Sequence, residues 1–254
     1  MPLYTTDALI LRTYKLGEAD RIVVFLTADR GKKRGVAKGA RRTRSRFGAA
    51  LEPLTHAGVT YFEKERRELV SLNYAEAVRS AWSAGSLDAF GHIEYFAELI
   101  DEWAPEGDPN HRLFRLGVAL VDALASGAPV DPLARYFEYW LLRLQGVYPA
   151  HVRCRACGVH LGEGEPPGAC LEPAQHGFTC LRCARLPGGV PAASLSREAL
   201  AFLDRAGRTA PERLGEVGAP AKAMRELEAV HRTLIAWHLE REPKSARVLR
   251  ELRG

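Results

Sequence analysis

Four cysteines fall in two pairs, Cys154-Arg-Ala-Cys157 and Cys180-Leu-Arg-Cys183, with 22 residues between them. One tight turn can offer two thiolates three positions apart, and two such turns can close a tetrahedral shell around a single Zn²⁺. Four sulfur ligands leave no open position for water, so this spacing predicts a structural metal and not a catalytic one. The separation slightly exceeds the common zinc-ribbon spacing, and the Gly- and Pro-rich stretch 162–168 can absorb the excess. Gly158 suits the turn after the first pair. Cys170 and His176 lie between the pairs and are alternative ligands. A redox dithiol is the rival for either pair alone, yet the βαβ pattern that accompanies such sites is missing around both.

A second group of residues is suited to electrostatic chemistry. Residues 30–46 carry nine basic side chains and no acidic one: Arg30, Lys32, Lys33, Arg34, Lys38, Arg41, Arg42, Arg44 and Arg46. The intervening residues are small or turn-forming, so the segment cannot bury much apolar surface. Residues 1–80 hold 16 Lys or Arg against 9 Asp or Glu, a net of +7, which leaves −2 for the remainder of a chain whose formal total is +5. Such a one-sided field favours encounter with a polyphosphate backbone. The bland alternative is a solvated loop in an arginine-rich composition, with 29 Arg to 7 Lys. Three of those seven lysines nevertheless fall inside this window, which a bias toward arginine does not explain. The predicted phosphate contacts are Lys32, Lys33, Arg34, Lys38, Arg41, Arg42, Arg44 and Arg46.

Signals for catalysis are weak. Residues 31–39 are glycine-rich and basic but lack the spacing of a phosphate-binding P-loop, and no HExxH or GxSxG pattern occurs. His92, His111, His151, His160, His231 and His238 are scattered. Glu63, Glu65 and Glu68 around Lys64 resemble a nuclease site less than they resemble solvated charges on a strand edge. The expectation is therefore a protein that is not an enzyme.

The elements that must position these groups change character along the chain. Residues 8–11, 22–27, 35–39, 51–62 and 69–74 read as five short strands, which suits a small closed barrel such as the OB-fold. From residue 78 the apolar period becomes helical, over 87–103, 113–124, 133–144, 196–205 and 221–240, with a last basic turn at 244–253. The aromatic set Tyr136, Phe137, Tyr139 and Trp140 reads as core and not as a cofactor box. Tyr14, Tyr61 and Phe62 either fill the barrel or stack on bases, and filling is the simpler expectation. The resulting fold class is α+β, multi-domain. It comprises an N-terminal five-stranded OB-fold barrel over 1–77 and a helical domain over 78–147. A four-cysteine zinc module over 148–192 is inserted before the helical C-terminal part over 193–254. The apolar fraction of 46% excludes wholesale disorder, and no apolar run is long enough to span a membrane. The absence of a secretory leader and the use of five cysteines as thiols or ligands point to a reducing, cytoplasmic compartment.

The order of several short stretches is specific. Asp7-Ala-Leu-Ile-Leu-Arg12 is followed by Gly17-Glu18-Ala-Asp20-Arg-Ile-Val-Val-Phe-Leu-Thr27 and Gly31, then by Val36-Ala-Lys38-Gly39-Ala-Arg41-Arg42, Ser45 and Leu51-Glu-Pro53-Leu54. This order resembles the amino-terminal domain of the bacterial recombination mediator RecO family. The helical body interrupted by two CxxC pairs, with Ser245-Ala-Arg247 near the end, extends the resemblance over most of the chain. The resemblance implies binding of single- and double-stranded DNA and ATP-independent annealing of complementary strands, including strands coated by single-strand binding protein. It also implies cooperation with RecR in loading RecA in the RecF pathway, and a nucleoid-associated location. The alternative from a different class is a zinc-containing protein–protein adaptor with nonspecific nucleic-acid affinity.

Overall fold

A computed structural model describes residues 2–63, 68–84, 87–163, 167–172, 177–184 and 193–253. It divides into two compact units, Met1–Gly127 with Pro243–Gly254, and Ala128–Glu242.

The first unit is built on five strands: β1 (Leu3–Leu16), β2 (Asp20–Thr27), β3 (Gly31–Ala37), β4 (Thr55–Phe62) and β5 (Val70–Ser80). They close into a barrel of order β1-β2-β3-β5-β4 with β4 returning to β1, and every pair is antiparallel except β3 with β5. This five-stranded closure is the expected OB-type barrel. Strict alternation on β4 sends Ala57, Val59 and Tyr61 inward to meet Ala8, Ile10, Val23, Phe25 and Leu72. Phe47, Ala50 and Leu51, from the segment between β3 and β4, complete this core. Residues 51–54 do not extend β4 as the sequence suggests. A 3₁₀ turn covers Gly48–Leu51, Pro53 has no N–H for a ladder, and Leu54 adopts a left-handed φ of 51°.

Helices α1 (Leu87–Trp103), α2 (His111–Ala125) and α6 (Lys244–Arg253) belong to the same unit. Asn110 caps α2, its Oδ1 accepting from Leu113 N–H at 3.0 Å. Gly117 lets α2 approach the barrel, because a Cβ there would lie 2.6 Å from the Leu9 side chain. Glu98 on α1 caps α6, accepting from the backbone N–H groups of Lys244 and Ser245 and from the Ser245 hydroxyl. The compact units thus cut the chain differently from the four segments read in the sequence, since packing assigns α1, α2 and α6 to the barrel.

The second unit holds α3 (Val130–Leu144), α4 (Arg197–Ala206) and α5 (Ala221–Leu239) around Leu133, Phe137, Leu141, Phe202, Leu227 and Leu234, all buried. Tyr139 is buried and Tyr136 and Trp140 are half-buried, as expected of core aromatics. Between α3 and α4 lies a sheet of order β7-β6-β8, formed by β6 (Ala169–Glu172), β7 (Gly177–Cys180) and β8 (Ser194–Leu195). These strands are too short to leave a period in the sequence.

Candidate nucleic-acid interface and metal centre

The basic run divides into two structurally distinct sets. Lys32, Lys33 and Arg34 lie within β3, where the outward positions face α1 and its following loop. Lys32 is largely buried, and its ammonium donates to the Asp101 carbonyl at 2.7 Å and to Asp101 Oδ1 at 3.1 Å. Lys33 donates to Glu63 Oε1 at 2.9 Å, and exposed Arg34 pairs with Glu106 at 3.0 Å. The Lys32 pair ties α1 to the barrel, the Arg34 pair ties the α1–α2 connection to it, and the charges of Lys32 and Lys33 are spent inside the protein. Glu63 is thereby accounted for. Lys64 and Glu65 lie outside the described residues.

The second set is Lys38, Arg41, Arg42, Arg44 and Arg46, all exposed on successive turns after β3. Among the described residues none of the five pairs with a carboxylate. Their loop is pinned at both ends. Asp20 Oδ1 accepts from Gly39 N–H at 2.8 Å, Arg41 N–H donates to the Ala19 carbonyl at 2.9 Å, and the Arg41 guanidinium donates to the carbonyls of Gly17 and Glu18 at 3.0 and 2.9 Å. At the far end Phe47 is sunk in the barrel core, with Arg46 over its ring. Gly39 takes φ +72°, which only the absence of a Cβ makes cheap. The cations are therefore displayed on an ordered scaffold, beside the β1–β2 turn.

The aromatics separate as well. Tyr61 is fully buried among Tyr4 and Phe25, and burial, reinforced by Glu63, pushes its hydroxyl up to about 12. Phe62 is half-buried, whereas Tyr14 stands on the outer face of β1 and is 49% exposed.

In the second unit the sulfurs of Cys154, Cys157, Cys180 and Cys183 all lie within 4.8 Å of one another. The first knuckle is a hairpin turn in which Cys154 N–H donates to the Val159 carbonyl and Gly158 N–H to the Cys154 carbonyl, both at 2.8 Å, with Gly158 at φ +74°. The second begins at the last residue of β7, where Cys183 and Ala184 N–H groups both return to the Cys180 carbonyl. Cys157 and Cys180 sulfurs are 3.8 Å apart. A tetrahedral shell with metal–sulfur bonds of about 2.3 Å has an edge of about 3.8 Å.

The donor chemistry also fits a cation. Burial favours the neutral thiol of Cys154, but the N–H groups of Cys180, Cys157 and Ala156 outweigh it and bring the group down to about 6. Cys183 is pushed the other way, to about 12, by sharing hydrogen bonds with Cys157 and Cys180. Thiols that share hydrogen bonds this closely release protons when a divalent ion takes their place among the sulfurs. Cys170 is excluded from this set by the pleat. Its neighbour Ala169 pairs with Cys180, so Cys170 points to the opposite face with Thr179. His176 lies outside the described residues.

Residues 1–81 match the family model for the N-terminal part of recombination protein O, and residues 84–247 match the model for its C-terminal part. The chain is 35% identical over 255 residues to the DNA repair protein RecO of Koribacter versatilis, a match covering 98% of this chain and 99% of that protein. It is 35% identical over 249 residues to the DNA repair protein RecO of Geobacter metallireducens, with 97% of each chain covered. It is 36% identical over 249 residues to the DNA repair protein RecO of a Nocardioides species, covering 96% of this chain and 97% of that one. With both halves matched and the identity sustained over the full length, the chain belongs to the RecO family of DNA repair proteins.

Proposed function

We propose that this chain is a non-enzymatic DNA-binding protein that anneals complementary strands without ATP during repair. In that role it works with RecR and single-strand binding protein in loading RecA. The observation that carries the DNA-binding part is the pinned loop with five exposed, carboxylate-free cations, Lys38, Arg41, Arg42, Arg44 and Arg46. Membership in the family supports the partners. Two single strands repel one another through their phosphates, and cations held between them reduce that barrier. Base pairing supplies the free energy, so no nucleotide need be hydrolysed. Arg34 adds to the set when phosphate competes with Glu106, while Lys32 and Lys33 act as internal supports of the face.

The knuckles hold Zn²⁺ in this proposal, with Cys154, Cys157, Cys180 and Cys183 as its ligands. When bound, the ion supplies the crosslink that keeps two short turns and a three-stranded sheet folded.

The test is strand annealing by the double variant Arg42→Glu, Arg44→Glu, with zinc quantified on the same samples. Both side chains are exposed and make no ion pair among the described residues, so the barrel and the zinc content should persist while annealing is lost. Annealing at the wild-type rate by the folded, zinc-loaded variant contradicts the proposal. Capture of RecR that survives the charge reversal, alongside such annealing, favours the adaptor function instead.

A further inference from the structure

Strand β1 does not keep one pleat from end to end. Ala8 pairs with Thr27 and Ile10 with Phe25, both pairs facing the barrel interior, but the register shifts between Ile10 and Arg12, so that Arg12 pairs with Val24, Thr13 with Val23 and Tyr14 with Ile22. Leu11 is the extra residue. Without this bulge, parity would send Tyr14 inward with Ala8 and Ile10. With it, Thr13 joins Val23 inside, and Arg12, Tyr14 and Leu16 turn outward.

The outer face of β1, β2 and β3 is closed at one end and open at the other. Near α1, Leu26 and Val24 are buried, and Arg12 is held by Asp101 at 2.8 Å. Toward the β1–β2 turn, Ile22 and Val36 are half-buried, Tyr14 is 49% exposed and Leu16 is 37% exposed. Ile22 pairs with both Tyr14 and Val36, so the three form one row across the strands. The next row toward α1 carries Arg34, paired with Glu106 at 3.0 Å, and at the other end the Arg41 guanidinium is fixed on the β1–β2 turn, with Lys38 exposed just past the end of β3. The acidic groups nearby are Asp20, engaged by Gly39 N–H, Glu18, exposed on the turn, Glu106, paired with Arg34, and Asp101, paired with Arg12.

We propose that Tyr14, which shares an outer-face row with Ile22 and Val36 and stands on the strand leading into the turn that holds Arg41, is a stacking platform for an unpaired base of single-stranded DNA. This deepens the DNA-binding function proposed above and rests on it. An exposed aromatic ring near an exposed cationic loop matches the two chemistries of a single strand, a flat base and a charged backbone. A duplex presents the same phosphates but no free base face. The loop therefore serves single and double strands alike, and Tyr14 distinguishes them.

The test compares wild type, Tyr14→Ala and Tyr14→Phe in binding to oligo-dT, to an abasic strand of equal length and to a duplex, each over a salt series. Tyr14→Ala should weaken oligo-dT binding about tenfold or more without changing the salt slope. Binding of the abasic strand and the duplex should be unchanged, and Tyr14→Phe should bind oligo-dT like wild type. An unchanged oligo-dT affinity in Tyr14→Ala, or an equal loss on all three probes, overturns the platform. So does a self-association that Tyr14→Ala disperses while oligo-dT binding stays intact, which would make the patch a seat for a second copy of the chain. A wild-type protein that binds none of the probes at low salt overturns the phosphate-binding function itself.

Discussion

Four ionisable side chains of the second unit form a single hydrogen-bonded chain. Arg135 donates to Glu138 at 2.8 Å, Glu138 Oε2 faces His231 Nδ1 at 2.9 Å, and His231 Nε2 meets the Tyr148 hydroxyl at 3.3 Å. A neutral His231 that donates from Nδ1 to Glu138 and accepts at Nε2 from Tyr148 satisfies both ring nitrogens. Burial lowers the pKa of His231, Glu138 opposes that shift and Arg135 adds to it. His151 is also lowered, chiefly by burial and then by Arg143. The unfolded chain thus takes up protons below a pH of about 6.5 that the folded unit refuses, and stability is lost as pH falls from there toward the depressed folded values. Each histidine contributes a slope of up to about 1.4 kcal/mol per pH unit in that window. Urea unfolding at saturating zinc should show a shallower acid slope in His231→Asn than in wild type. Equal slopes contradict the assignment.

At the scale of elements, the decisive feature is how the cationic loop is fastened. Phe47 is almost wholly buried in the barrel, so Phe47→Ala removes both the loop's anchor and part of the core. It should cost about 3–5 kcal/mol, read as a lowered urea midpoint, while Arg44→Ala leaves the midpoint within about 0.5 kcal/mol of wild type. Much of this organisation was legible in the sequence. β2 and α1 announce themselves by a β-branched run and a helical stripe, and the paired cysteines announce their turns. The division of the basic run was not legible, because nothing near Lys32 in the chain reveals Asp101 or shows Lys33 where Glu63 will lie. Nor was the outward turn of Tyr14, since a bulge depends on the partner strand and alternation alone assigns that ring to the core. The knuckle sheet escaped detection for a different reason, its strands being two to four residues long.

At the scale of the molecule, the exposed charge and the four-cysteine cluster belong to different units. The first unit carries the exposed cationic loop and the second the four-sulfur centre, and among the described residues no helix is long and apolar enough to cross a membrane. Chelation should accordingly loosen the second unit first. Limited proteolysis after zinc removal should speed cleavage within 150–190 and leave the barrel intact, and an unchanged cleavage pattern contradicts a structural ion there. DNA affinity should resolve to the other unit. If all five loop cations reach phosphate, log affinity for a duplex should fall with log salt at a slope of about −4.5. Measured side by side, Arg42→Glu, Arg44→Glu should bring that slope to about −3 or shallower. A slope identical to wild type in the folded, zinc-loaded variant would show that this loop does not meet the backbone.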